Sequence, residues 1–183
     1  MVMLGAPGSG KGTQATILAE ALGIPSISTG EMLREAVATG TELGQTVESI
    51  MATGKLVDDE TMAAVVEERL ATADAAEGFI LDGYPRTLGQ ADTLAGILER
   101  RGWSLDSVVY IEVPEAELVA RALARKRADD KEEVIRQRLE VYRQQTQPLI
   151  DHYRAAALLR DIDGHQTIEG VAKSIVDALG EAG

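Results

Sequence analysis

A chain of 183 residues with 30 acidic and 18 basic side chains carries a formal net charge of −12, which argues against general affinity for nucleic acid or an anionic membrane. It has no cysteine, so disulfides and thiolate zinc sites are excluded, and no apolar run approaches a membrane span. The length suits one core with small inserts, and the N-terminus enters an apolar run directly, without a signal peptide, so a cytoplasmic protein is expected.

Val2, Met3 and Leu4 predict a short buried strand, and Gly5-Ala6-Pro7-Gly8-Ser9-Gly10-Lys11-Gly12-Thr13 follows it as G-x-x-x-x-G-K. Ile17, Leu18, Ala21 and Leu22 then recur at helical spacing, with Gly23 as the C-terminal stop. Strand, glycine loop and helix is the context a phosphate-binding loop needs. Backbone N–H groups of Gly8, Ser9, Gly10, Gly12 and Thr13 can curl toward phosphate oxygens, the helix N-terminus adds partial positive charge, and Lys11 adds a full one. Position 12 is glycine where most such loops carry the Ser or Thr that holds Mg²⁺, and the hydroxyl arrives one residue later as the candidate ligand Thr13. The ion is therefore expected to rest mainly on phosphates, waters and a distant carboxylate.

Residues 24–27 are a weak strand candidate. Ser28-Thr29-Gly30 opens a helix running to Thr39 before Gly40, and a second helix from about Leu43 to Thr53 ends at Gly54. The apolar face of this pair is thin (Leu33, Val37, Val47, Ile50, Met51), as for a small insert carried on the core. Asp58 is a natural N-cap for a helix with Met62, Val65, Val66 and Leu70 on one face. Residues 79–82 form an apolar run ending in Asp82, as buried parallel strands do at their functional ends. A carboxylate there can hold Mg²⁺ directly or through water. Arg86 follows on the next loop, and a guanidinium suits phosphate because it offers two donors and keeps its charge. Leu88, Ala91, Leu94, Ala95 and Leu98 mark a helix closed by Gly102, with Thr87 and Gln90 spaced as a capping box.

Residues 108–113 predict a further strand, and Pro114 the first position of a helix. A long helix is expected from Asp130 to about Leu158, capped by Asp130 with Glu133 three residues on, and bent at Pro148. Its inward stripe is Ile135, Leu139, Tyr142, Thr146, Leu149 and Tyr153. A last strand at 158–162 and a helix at 167–179 complete the chain. Strands alternating with helices predict an α/β fold, a three-layer, doubly wound, five-stranded parallel sheet with ligands at the strand C-termini. Arg121, Arg125, Lys126, Arg127, Arg136 and Arg138 gather the basic charge in an otherwise acidic chain. A solvated basic face is the usual reading of such a run, but a phosphate loop elsewhere in the chain gives these cations an anion to meet. His152 and His165 lie near no motif and take no role.

The loop form G-x-P-G-x-G-K-G-T, the runs at residues 28–34, 54–57 and 82–90, and Arg127-Ala128-Asp129-Asp130 followed by Arg138-Leu139 resemble an adenylate kinase, almost end to end. The resemblance implies phosphoryl transfer between Mg²⁺·ATP and AMP to give two ADP. It implies that Lys11 holds the donor phosphates and that Arg121 stacks near the ATP adenine. Thr29, Arg34, Val57, Gly83, Arg86 and Gln90 would form the AMP site, while Arg125, Arg127 and Arg138 surround the transferred group. It further implies a monomer, a cis Tyr84–Pro85 bond, an AMP-binding insert at residues 29–57 and a short lid at 125–131. Long, zinc-bearing lids are excluded by the missing insert and the missing cysteines. A UMP/CMP kinase is the nearest rival, opposed by Thr29 where that family usually has alanine and Thr87 where it usually has asparagine. A nucleotide-switched regulator would not need Arg86 and further arginines converging on one phosphoryl group.

Overall fold

Five short segments form five parallel strands, β1 (Val2–Leu4), β2 (Ser26–Ser28), β3 (Ile80–Asp82), β4 (Val108–Glu112) and β5 (Leu159–Asp163), ordered β2-β3-β1-β4-β5. The computed structural model describes residues 1–125, 127 and 131–180. The helices are α1 (Lys11–Leu22), α2 (Thr29–Thr39), α3 (Glu42–Ala52), α4 (Asp59–Leu70), α5 (Leu88–Arg100), α6 (Glu115–Arg125), α7 (Glu132–Val141), α8 (Pro148–Ala155) and α9 (Ile168–Gly180).

Both faces of the sheet are covered, and the strand residues divide between them with period two. Val2, Leu4, Ile27, Leu81 and Val108 face a cluster completed by Met62, Val66 and Leu70 of α4, Leu94 and Leu98 of α5, and Leu149 and Tyr153 of α8. Met3, Ile80, Val109 and Ile111 face the other side, against Ala15 and Leu18 of α1, Leu118 of α6, Ile135 and Leu139 of α7, and Val171 and Ile175 of α9. This is the three-layer arrangement read from the sequence. Val2, Val66, Leu70, Leu81 and Leu149 are fully buried, each worth about 1.5–3 kcal/mol over exposure.

The order of the strands places the site. The chain runs from β1 to the edge strand β2, returns to β3 beside β1, then crosses to β4 and β5 on the other side of β1. The crevice therefore opens at the C-terminal end of β1, where the strand order reverses. Met3 pairs with Asp82 and Leu4 with Tyr110, so the loop leaving β1 emerges between the ends of β3 and β4.

The helical pair after β2 is held by Thr41, whose hydroxyl caps α3 by accepting from the Gly44 N–H at 3.1 Å. Leu33, Val47 and Val57 are buried in the same cluster as one sheet face, so this thin apolar face is continuous with the core. Asp58 caps α4 as expected, accepting from the Thr61 N–H at 2.8 Å.

Two boundaries differ from the sequence reading. Pro114 precedes the first residue of α6, its carbonyl accepting from the N–H groups of Glu117 and Leu118, so it stands at the cap instead of the first helical position. The long helix is broken into α7 and α8 by a π-helical turn, Tyr142–Thr146. Pro148 has no N–H to offer the Gln144 carbonyl, and the ladder slips one residue ahead of it, with the Gln147 N–H reaching Tyr142 O at 2.8 Å. In place of the bend expected at Pro148, the ladder is interrupted by this π-helical turn just before it. The cap assigned to Asp130 lies outside the described residues.

Candidate active site

The loop leaving β1 turns back on itself through the Ser9 N–H, bonded to Ala6 O at 3.0 Å, and Gly10 then caps α1 in a left-handed conformation. Gly8 is required twice over. Its φ is 93°, and a Cβ there would lie 2.5 Å from the carbonyl oxygen of Leu118 in α6. No acidic residue occupies the first turn of α1, so the positive end of its dipole faces the crevice uncompensated by that turn. Lys11 opens the helix there, and burial holds its ammonium below the ordinary pKa of 10.5. Asp82 opposes that shift, while Arg86, Arg125 and Arg127 reinforce it.

Asp82 is buried at the end of β3, and its Oδ1 has no hydrogen-bond partner among the described residues. A Cβ on Gly12 would come within 3.2 Å of its other oxygen, so the carboxylate stands directly under the phosphate loop. An orphaned buried carboxylate oxygen at that point fits a hydrated divalent cation. Among the described residues no group of three His, Cys, Asp or Glu side chains forms a metal cage, so such a cation would rest mainly on its nucleotide and waters.

Two cavities open on either side of this point. The first is lined by Thr29, Arg34, Val57, Gly83, Arg86, Gln90, Arg127 and Arg138, among others. Every residue that the sequence assigned to a monophosphate is thus on one wall or another of it. The second is lined by Gly8, Ser9, Gly10, Lys11, Gly12, Thr13, Arg121 and Arg125, together with Gly164, Gln166 and Thr167 from the β5–α9 connection. Lys11, Asp82, Arg125 and Arg127 line both. Three cations and one carboxylate therefore stand where the two spaces meet.

Within the first cavity the guanidinium of Arg86 is aimed by its Nε, which donates to the Gly83 carbonyl at 2.7 Å, while the backbone of Arg86 is held by its carbonyl, which accepts from the Thr146 hydroxyl at 2.8 Å. Burial lowers its pKa, Asp82 opposes this, and Arg138 and Arg34 lower it further. Guanidiniums crowded closely enough to perturb one another mark a site built for anionic charge. Thr29 is buried and its hydroxyl donates to the Asp82 carbonyl at 3.4 Å. Tyr84–Pro85, which shapes the loop between Gly83 and Arg86, is cis.

Thr87 caps α5 by accepting from the Gln90 N–H at 3.1 Å, half of the expected box. The reciprocal half is replaced, since Gln90 Oε1 accepts from the Arg86 N–H at 2.7 Å and Nε2 donates to Asp59 Oδ1 at 2.8 Å. The basic gathering also needs correction. Arg136 is exposed on α7, paired with Glu132 at 2.7 Å, and lines neither cavity because it sits on the helix face away from Ile135 and Leu139. Lys126 lies outside the described residues. Arg127 reaches across the second cavity toward Glu31 of α2, at 4.0 Å.

Sequence reasoning missed several neighbours. Asp59 was overshadowed by the capping role of Asp58. Thr146 was read only as part of an apolar stripe. His165, given no role, bonds through Nδ1 to Glu117 Oε2 at 2.6 Å, and Glu117 in turn holds Arg121. The i, i+4 spacing of Glu117 and Arg121 was the one available signal for that pair.

A family model described as Adenylate kinase matches residues 3–158. Adenylate kinase of Corynebacterium glutamicum is 50% identical over 181 residues, covering 99% of each chain. Adenylate kinase of Syntrophotalea carbinolica is 47% identical over 211 residues, covering 98% of each chain, and that of Archaeoglobus fulgidus is 45% identical over 206, covering 96% of this chain and 95% of its own. The last two alignments are longer than the chain itself, so these relatives carry residues with no counterpart here.

Proposed function

The chain belongs to the adenylate kinase family, and on that premise we propose that it transfers the terminal phosphoryl group of Mg²⁺-bound ATP to AMP, giving two ADP. It is a nucleoside monophosphate kinase, a phosphotransferase. The observation that carries the substrate reading is the meeting of two cavities at Lys11, Asp82, Arg125 and Arg127. One nucleotide in each cavity brings a donor and an acceptor phosphate to the same four side chains.

ATP is assigned to the second cavity, its phosphates on the N–H groups of Gly8, Ser9, Gly10, Gly12 and Thr13 and on Lys11, its adenine beside Arg121. AMP is assigned to the first, its phosphate met by Arg34, Arg86 and Arg138, its base by Thr29, Val57, the Gly83 region and Gln90. An AMP phosphate oxygen forms a bond to the γ-phosphorus as the bond to the β–γ bridging oxygen breaks, and the electron pair departs with ADP. Neither a covalent enzyme intermediate nor a strong base is needed. In-line positioning supplies much of the acceleration, and Lys11, Arg125, Arg127 and Arg138 stabilise charge spread over the moving group. Mg²⁺, when bound, would neutralise phosphate charge, and Asp82 would hold it, with Thr13 lining the same cavity.

Water must be kept from the γ-phosphate. The α2–α3 pair (residues 29–57) is proposed as one closing part and the short segment 125–131 as the other, although 126 and 128–130 of that segment lie outside the described residues. A cytoplasmic monomer is part of the same proposal; no helix among the described residues is long and apolar enough to cross a membrane.

A coupled assay that measures ADP formation from ATP with and without AMP tests the reading. Two ADP are expected for each ATP consumed, with little turnover when AMP is withheld. ATP loss at equal rates with and without AMP would overturn it.

A further inference from the structure

Gln90 is buried to 1% exposure, lines the first cavity, and has an amide held at both ends by groups of opposite polarity. The Arg86 N–H can only donate and takes Oε1; the Asp59 carboxylate accepts and takes Nε2. The other oxygen of Asp59 accepts from the Thr87 hydroxyl at 3.1 Å, so the carboxylate is itself fixed. Turning the amide over would oppose oxygen to carboxylate and NH₂ to N–H. One lone pair of Oε1 and one hydrogen of Nε2 remain for a ligand, in a set order.

We propose that Asp59 is a specificity-determining positioning residue, which locks the polarity of the Gln90 amide so that the cavity selects 6-amino over 6-oxo purine monophosphates. The inference rests on the assignment of AMP to this cavity. Adenine presents a donor at N6 beside an acceptor ring nitrogen, which matches a fixed acceptor–donor pair. A 6-oxopurine presents an acceptor at O6 beside a donor at N1, the reverse order. A free amide would turn to suit either base, so reading one against the other requires the lock. A site with paired polar groups rejects the mismatched base because both members are then left buried and unpaired. Asp59 needs no contact with the nucleotide, and it lies on α4 while Gln90 lies on α5, so the lock ties together the N-termini of two helices.

The test compares AMP with IMP, which differ at position 6 and its ring neighbour without the added bulk of the guanine 2-amino group. kcat/KM for both, with ATP as donor, is measured for wild type, Asp59→Ala, Asp59→Asn and Gln90→Leu. Asp59→Ala should lower the AMP:IMP ratio by roughly 10-fold or more, chiefly by raising IMP turnover. Asp59→Asn keeps an acceptor oxygen and should fall between. An unchanged ratio in Asp59→Ala and Asp59→Asn, with Gln90→Leu losing its preference, would overturn the lock while leaving the AMP site standing. A Gln90→Leu enzyme that keeps the full wild-type ratio would overturn the assignment of AMP to this cavity. A purely structural role for Asp59 predicts parallel losses for both substrates and a lower melting temperature, which also counts against the lock.

Discussion

Met3 of β1 and Asp82 of β3 are partners in the parallel register, and this one pairing sets the Asp82 carboxylate beneath the loop that Lys11 closes. A slip of one residue would turn Asp82 to the other face of the sheet and leave Leu81 there instead. The register is held by apolar side chains on both faces, Leu81 on one and Ile80 on the other, both fully buried. Core packing that has no chemistry of its own thus positions the one carboxylate shared by the two cavities.

Lys11 is held charged against desolvation, which is a cost the folded apo protein carries. Its pKa is lowered, so between that lowered value and 10.5 the unfolded chain binds more protons than the folded one. Stability therefore rises with pH through that window, and the contribution is lost as pH falls through the folded pKa. Lys11→Met should flatten this rise, melt no lower than wild type at pH 7, and reduce kcat by roughly 10²-fold or more. Binding of ATP to wild type within the window should take up protons, measured by calorimetry in buffers of different ionisation heat. Near-wild-type kcat in the variant, or no proton uptake, would remove Lys11 from its role.

Gly44 sits inside α3, where alanine would ordinarily add about 0.5–1 kcal/mol of helix stability. Here a Cβ would lie 2.0 Å from the carbonyl oxygen of Ala36 and 2.7 Å from the Val37 nitrogen, both backbone atoms of α2. Overpacking against backbone costs about 1–3 kcal/mol, so the clash outweighs the propensity. Gly44→Ala should lower the melting temperature and raise the KM for AMP severalfold, with the KM for ATP near wild type. An unchanged melting temperature and unchanged KM for AMP would show that α2 and α3 can part without consequence.

The fold was legible where periodicity and punctuation agreed. Gly23, Gly40 and Gly54 mark helix ends, Asp58 and Thr87 mark starts, and the apolar runs before Gly5 and Gly83 gave the two strands that meet at the site. The π-helical turn was not legible, because a one-residue slip leaves Ile135, Leu139, Thr146, Leu149 and Tyr153 all buried and the apolar stripe apparently unbroken. Arg136 was misplaced because a charge run shows composition but not the face of the helix. Asp59 and His165 act through partners 31 and 48 residues away, and no local spacing reports such a contact.

Arg121 reaches the second cavity already committed through three hydrogen bonds to two acceptors. Its Nε and Nη2 donate to Glu117 Oε1 at 3.0 and 2.5 Å, and Nη2 also donates to the Gly164 carbonyl at 2.9 Å. The guanidinium plane is thereby fixed by α6 and the β5–α9 connection, leaving a flat cationic face for an aromatic base to stack on. The His165 contact first, and Arg121 second, hold the Glu117 carboxyl below its ordinary 4.5. The Glu117 contribution is present above that ordinary value and is lost as pH falls through the lowered one. Glu117→Gln keeps the shape and removes the charge. The KM for ATP should rise by up to roughly fivefold, the scale of a pair partly screened by solvent, while the KM for AMP holds. Steady-state kinetics with each nucleotide varied in turn decides it. Equal shifts in both constants would mean that Glu117 supports the fold of α6, and no shift at all would mean that the Gly164 carbonyl alone is enough to hold Arg121 in place.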